Sequence, residues 1–278
     1  MRLCYQVATP DVAIADSVTA YQGPIEKSFA DLAKIGYDGV ELMSLAPMSL
    51  DWQHIKDEAE KNGLKIVLIC TGEIWGQLGL SFGDPDAKVR ADAIAHVKED
   101  IDFAAFMGAD INIGRVRGHY CKEISKEQTE AYVAECIQEL ADYAAAKNVR
   151  IALETVTLMQ TNYINTCADA VRLINQVNRP NFRLMIDVFH LNLEEKNLIE
   201  AIKEYSPYNI HVHFADNNRR WPGNCGMDYP TIIKTFKECG FDENFSCEFF
   251  QIPDQEFCAK ACYDYLAPIF KEVYGRDY

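Results

Sequence analysis

Eight short apolar runs alternate with longer amphipathic stretches along these 278 residues, and this rhythm constrains the fold more than any other feature. The runs fall at 2–8, 38–43, 65–71, 111–114, 150–154, 183–187, 210–214 and 245–249. Helical patterns lie between them, among them 88–107, 126–147, 168–177, 230–238 and 256–273. Apolar residues recur there at spacings of three and four, as Ile94, Val97, Ile101 and Ala104 do. Gly36, Gly63, Gly108, Asn148 and Gly240 punctuate five returns from helix to strand. No GxGxxG follows the first strand, and eight strand–helix units at this length favour a closed barrel over an open doubly wound sheet. The expected fold is therefore α/β, a (β/α)8 TIM barrel forming one catalytic domain over 1–278.

Barrel enzymes place their chemistry at the C-terminal ends of the strands. Glu154, Asp187, His213 and Glu248 stand at or near the ends of the fifth to eighth runs, four adjacent positions around one side of the barrel mouth. Three carboxylates and one imidazole form a ligand set for a single hard or borderline divalent cation such as Mn²⁺, Mg²⁺ or Co²⁺. A metalloenzyme is expected.

Composition narrows the partners. A formal net charge of −15 and a pI near 4.8 repel nucleic-acid backbones and acidic membrane surfaces, so neither is an expected partner. None of the 10 cysteines forms a CxxC pair with zinc-site spacing, and Cys4, Cys70 and Cys247 lie inside predicted strands. They read as reduced thiols of a cytoplasmic protein. The N-terminus runs straight into Arg-Leu-Cys-Tyr-Gln-Val-Ala without a signal core, and no apolar run reaches the length of a membrane span.

The runs Leu-Glu-Thr-Val, Met-Ile-Asp-Val-Phe-His-Leu-Asn, His-Val-His-Phe-Ala-Asp-Asn-Asn-Arg-Arg-Trp-Pro-Gly and Cys-Glu-Phe-Phe resemble the sugar isomerase/epimerase family of xylose isomerase-like TIM barrels. Within it the chain is most similar to the D-tagatose 3-epimerase and keto-sugar-acid epimerase branch. The four ligand residues stand 33, 26 and 35 positions apart, which agrees with that likeness. The resemblance implies one divalent ion, Mn²⁺ first, held by Glu154, Asp187, His213 and Glu248 with sugar oxygens completing the coordination. It also implies epimerisation at C3 of a ketose or keto-sugar acid through a metal-stabilised cis-enediolate, with Glu154 and Glu248 as the catalytic pair on opposite faces of the sugar. The chemistry independently wants two bases, because one base that returned its own proton to the same face would only restore the starting centre.

The same carry-over assigns substrate contacts to His190 and Arg219, with Arg220 left to a surface ion pair. Gln160 stands where the family usually has a glutamate that binds sugar hydroxyls, so the substrate is expected to differ from the usual ketoses. Arg115 and Arg117, after the fourth run, are candidates to grip a substrate carboxylate or phosphate. Glu73, Trp75 and Gln77, after the third, are candidates for a sugar-stacking wall with polar edges. His211 shares strand parity with His213 and reads as a packed or supporting residue.

Three other functions compete. Aldose–ketose or hydroxypyruvate-type isomerisation uses the same enediolate but moves the proton between adjacent carbons. Abasic-site endonucleases share the barrel superfamily, yet bind several zinc ions through more histidines than the 6 present here. A barrel subunit of a heteromeric glycoside-processing enzyme would account for the altered Gln160 segment. By the same resemblance the expected assembly is a homo-oligomer, a dimer or tetramer, acting on a small-molecule sugar or sugar acid.

Overall fold

The computed structural model describes residues 1–275. Its strands are β1 (Arg2–Ala8), β2 (Gly39–Met43), β3 (Lys65–Cys70), β4 (Asp110–Ile113), β5 (Ile151–Glu154), β6 (Phe182–Asp187), β7 (Asn209–Phe214) and β8 (Asn244–Cys247). Each pairs in parallel with the next, and β8 closes on β1, giving the expected barrel. The helices are α1 (Ile25–Ile35), α2 (Trp52–Lys61), α3 (Gly72–Leu78), α4 (Ala87–Met107), α5 (Lys126–Ala145), α6 (Cys167–Val177), α7 (Val188–Glu194), α8 (Leu198–Tyr205), α9 (Tyr229–Glu238) and α10 (Gln255–Tyr274).

Strands buried on both faces must be apolar nearly throughout, which is why the eight runs read as unbroken hydrophobic segments. Alternation then sorts their side chains into two layers. Val40, Leu42, Ile151, Leu153, Leu184, Ile186, Val212 and Phe214 pack outward under the helices. Cys4, Ala8, Met43, Leu68, Cys70, Ala152 and Met185 form a smaller interior plug. The interior parity also carries Gln6, Glu41, Asn112, Glu154, Asp187, His211, His213 and Ser246, all buried. The upper half of the barrel is thus a polar chamber.

Helix starts are fixed by side chains that accept first-turn N–H groups. Asp51, Asp86, Ser125, Asn197, Asp228 and Asp254 do so, and Thr166 with Asp169 forms a capping box. Each such cap contributes about 1 kcal/mol. The five return residues Gly36, Gly63, Gly108, Asn148 and Gly240 all have positive φ, the conformation those sequence positions imply. On the β7–β8 side, Phe245 packs between Phe214 (ring centroids 5.2 Å) and Phe270 (5.1 Å), tying the two strands to α10. No helix among the described residues is long and apolar enough to cross a membrane.

Candidate active site

The four expected ligands meet at the C-terminal mouth of the barrel. One oxygen from each of Glu154, Asp187 and Glu248 and a nitrogen of His213 all lie within 4.8 Å of one another. β6 and β7 set part of this directly, because Asp187 and His213 are register partners. Glu154 ends β5, and Glu248 follows β8, its N–H bonded to the carbonyl of Phe214 (3.0 Å). Gly114 makes room for the cluster, since a Cβ there would stand 2.7 Å from Glu154 Oε2.

His213 is buried with both ring nitrogens engaged. Nδ1 faces Glu248 Oε2 at 3.0 Å and Glu154 Oε1 at 3.6 Å, while Nε2 meets Glu41 Oε2 at 2.8 Å. Burial lowers its pKa, but Glu41 and Glu248 outweigh burial and raise it well above the ordinary histidine value. Burial likewise acts to raise Glu248, yet Arg219 and His213 hold it well below the usual carboxylate range. Glu154 has no arginine in contact, and burial outweighs His213 and leaves it raised. The two glutamates are therefore pushed apart in basicity by their surroundings.

Asp187 divides its carboxylate between two tasks. Oδ1 caps α7 by accepting the N–H of Phe189 (2.7 Å) and His190 (3.4 Å), and Oδ2 accepts from Arg219 Nη1 (2.6 Å). Arg219 Nη2 reaches Glu248 Oε2 at 2.5 Å, and its guanidinium lies 4.7 Å from the centre of the Phe189 ring. His190 is buried, and its Nδ1 accepts the N–H of Thr157 (3.2 Å), so Nε2 carries the proton. Burial, helped by Arg219, lowers His190 to about 4, which keeps it a neutral N–H donor.

These groups border a cavity of about 290 Å³. Glu73, Arg115, Gln160, His190, Arg219, Glu154 and Glu248 line it, with Ser17, Thr19, Val156 and Phe250 among the remainder. Arg115 is held only loosely, 3.5 Å from Glu73 Oε1 and 3.4 Å from the Gly72 carbonyl.

Two expectations require correction. Arg117 does not border the cavity. It is fully buried, and its guanidinium donates to the carbonyls of Gly114 (2.7 Å), Ile164 (2.9 Å) and Tyr163 (3.0 Å). Burial lowers it to about 10, and each of its three nitrogens donates to a backbone carbonyl, away from the cavity. Trp75 sits on α3 with its ring against His119, 5.2 Å between centroids, and is not part of the cavity wall; Gln77 beside it donates to Glu73 Oε2 (2.8 Å).

Several functional neighbours lie outside the sequence expectation. Thr19 Oγ1 donates to Glu248 Oε1 (2.9 Å), Asn112 Nδ2 donates to Glu154 Oε2 (3.4 Å), and Glu41 supports His213 from below. Glu41 and Asn112 share one signal, a polar residue of interior parity inside an apolar strand, whereas Thr19 lies in the loop between β1 and α1 and carries none.

The donor set fits a divalent cation. Glu41, Glu154, Asp187 and Glu248 face Arg219 and His213 as their cationic neighbours in the cluster, so the buried chamber has an excess of negative charge. Uncompensated buried carboxylates cost several kcal/mol each, and a divalent ion among hard oxygen ligands and one imidazole relieves this.

Comparison with known proteins gives a consistent picture. The pattern of the family described as xylose isomerase-like TIM barrel matches residues 29–262. The L-ribulose 3-epimerase of Methylomonas sp. (strain DH-1) is 28% identical over 236 residues, covering 80% of this chain and 79% of the relative. The D-psicose 3-epimerase of Agrobacterium fabrum is 26% identical over 217 residues, covering 76% and 74%. Among solved structures, the apo form of 3-keto-D-glucoside 4-epimerase from E. coli superposes with a TM-score of 0.80. It covers 97% of this chain and 98% of that one at 21% identity, a likeness of fold.

Proposed function

Because the chain belongs to the xylose isomerase-like TIM-barrel family, we propose that it is a metal-dependent epimerase of a ketose or keto-sugar acid. The observation that carries this reading is the pair of glutamates, Glu154 and Glu248, converging on one cluster with Asp187 and His213. Those four residues would hold the ion, for which Mn²⁺ is the leading candidate. When bound, it supplies polarisation of a substrate carbonyl and compensation for the negative charge that develops on its oxygen.

The chain's own residues do the rest. In one direction Glu248, kept ionised by Arg219, accepts the proton from the carbon next to the carbonyl, and Glu154, the more basic of the two carboxylates, delivers one to the opposite face. The reverse reaction exchanges these roles. His190 Nε2–H and Arg219 offer donors to sugar oxygens beside Asp187, and Gln160, Glu73 and Arg115 are further polar groups on the cavity wall. Arg115 takes the role first assigned to a pair of arginines and favours a substrate with an anionic substituent there. The keto-sugar epimerases among the relatives support the substrate class and do not agree on the carbon that inverts. A homo-oligomer and a cytoplasmic setting complete the reading, the latter supported by ten free cysteines.

The test is hydrogen exchange followed by NMR. The Mn²⁺-loaded protein is incubated in D₂O with a panel of ketoses and keto-sugar acids. Deuterium at C3 with a new epimer is the expected result. Label at C1 or C2 indicates isomerisation instead, label at C4 moves the inverted centre, and no uptake across the panel overturns the reading.

A further inference from the structure

We infer that Glu41, in the barrel interior beneath the ligand cluster, is a positioning residue that fixes which nitrogen of His213 faces the metal. The inference rests on the metal-dependent reading above and deepens it. Glu41 is completely buried in β2, where the pairing with β3 shifts register between Val40 and Glu41. Its Oε1 accepts from Gln6 Nε2 at 2.7 Å, and its Oε2 lies 2.8 Å from His213 Nε2 and 3.1 Å from His211 Nε2. His211 Nε2 also lies 3.0 Å from Ser246 Oγ.

An ionised carboxylate can only accept hydrogen bonds. With Oε2 at 2.8 Å, Nε2 of His213 therefore keeps a proton, and Nδ1 is the nitrogen left to give up its own proton and offer a lone pair. Nδ1 is the nitrogen that faces Glu154 and Glu248. Gln6 in turn fixes the carboxylate by donating to its other oxygen. The chain Gln6, Glu41, His213 thus holds the ring with Nδ1 turned to the upper cluster before any ion arrives, and lost support of this kind typically weakens metal binding about 10- to 100-fold.

Glu41, His211 and His213 also lie close enough to be ligands themselves, their donor atoms within 4.8 Å. The contacts argue against that use. They are at hydrogen-bond lengths within a closed interior, and an ion there would have to take the Nε2 of a ring whose Nδ1 already serves the upper cluster.

The experiment is Mn²⁺ titration by calorimetry of the wild type, Glu41→Gln and Gln6→Met, with ¹⁵N-histidine NMR to read the Nε2–H of His213. Expected are one ion per wild-type chain, at least tenfold weaker binding by E41Q with loss of the slowly exchanging Nε2–H of His213, and a several-fold weakening by Q6M. Affinity of E41Q within twofold of wild type overturns the inference, as does a second ion that E41Q alone loses. If E41Q does not fold, Q6M decides, and wild-type affinity and Nε2–H exchange in that variant overturn it. Failure of the wild type to bind Mn²⁺ or Co²⁺ at all strikes the metal-dependent reading itself, a different outcome from an unaffected variant.

Discussion

Arg117 and Asp100 show how the same burial acts on opposite charges. Arg117 answers burial with three carbonyl acceptors, so it holds the segment at 163–164 to the turn after β4. Arg117→Met should therefore cost about 3 kcal/mol or more, from several buried acceptors left unpaired, and lower the urea midpoint. The ratio of KM for acidic to neutral substrates should stay unchanged; a selective rise for acids with unaltered stability would contradict the structure. Asp100, on α4, is fully buried with neither oxygen hydrogen-bonded, and the nearby Ser44 hydroxyl donates to Asp11 instead. Burial, with Asp11 adding to it, raises the Asp100 pKa well above its ordinary value. A raised carboxyl binds its proton more tightly in the folded state, so stability is full below about pH 4 and falls as pH rises toward the folded value. Asp100→Asn should consequently raise the melting temperature at pH 7, with the gain shrinking toward pH 4. Chemistry at strand ends was legible in the sequence because Glu154 and Asp187 interrupt apolar runs where a barrel exposes them. Glu41, Gln6 and Asn112 were not singled out, since a polar residue within a predicted strand gains meaning only once its neighbours across the barrel are known.

At the scale of elements, the strands were the most legible part, each placed to within about two residues at either end, because period and length both mark a doubly buried strand. The connections were less so. The turn between β7 and α9 is organised by Asp216, whose carboxylate accepts the N–H groups of Asn217 (2.9 Å), Gly223 (3.0 Å), Cys225 (2.9 Å) and Met227 (3.2 Å). Inside that turn Arg219 adopts φ 57°, its N–H bonded to the Asp216 carbonyl and its own carbonyl accepting the N–H of Phe250. This backbone geometry accompanies an Arg219 side chain directed at Asp187 and Glu248 while Arg220 stays outside the cavity lining, the distinction that the family resemblance implied and for which the turn gives the physical reason. Asp216→Ala should release the turn, costing roughly 2–3 kcal/mol. Displacement of Arg219 should also lower kcat/KM by about 100-fold. Steady-state kinetics on the exchange substrate alongside thermal melts would check both, and wild-type kcat/KM in a folded variant would show that Arg219 holds its place without the turn.

For the whole molecule, the proposed ligand set would make the metal and the proton compete for one position, and the fold's stability should register that competition. Two groups without metal pull in opposite directions. His213, raised well above its ordinary value, contributes stability that is full below about pH 6.5 and is lost as pH climbs through the folded value. Glu41 behaves inversely. Burial would raise it, but His213 and His211 hold it at about 2, so its contribution is present above the ordinary carboxylate value and is lost as pH falls through that range. A divalent ion held by the proposed ligands would take the place of the proton on His213 Nδ1, so binding should release about one proton and tighten up to tenfold for each pH unit below the raised value. Ligand linkage converts affinity into stability at about 2.7 kcal/mol for an ion at 100 times its Kd, several degrees of Tm for a chain of this size. The Tm gain from a fixed Mn²⁺ concentration should therefore be larger at pH 8 than at pH 6, and chelation should abolish it at both. Calorimetry in two buffers of different ionisation enthalpy counts the released proton independently. A gain that does not change with pH, or binding without proton release, would mean that the ion does not take Nδ1 of His213, and the four-residue ligand set would have to be redrawn.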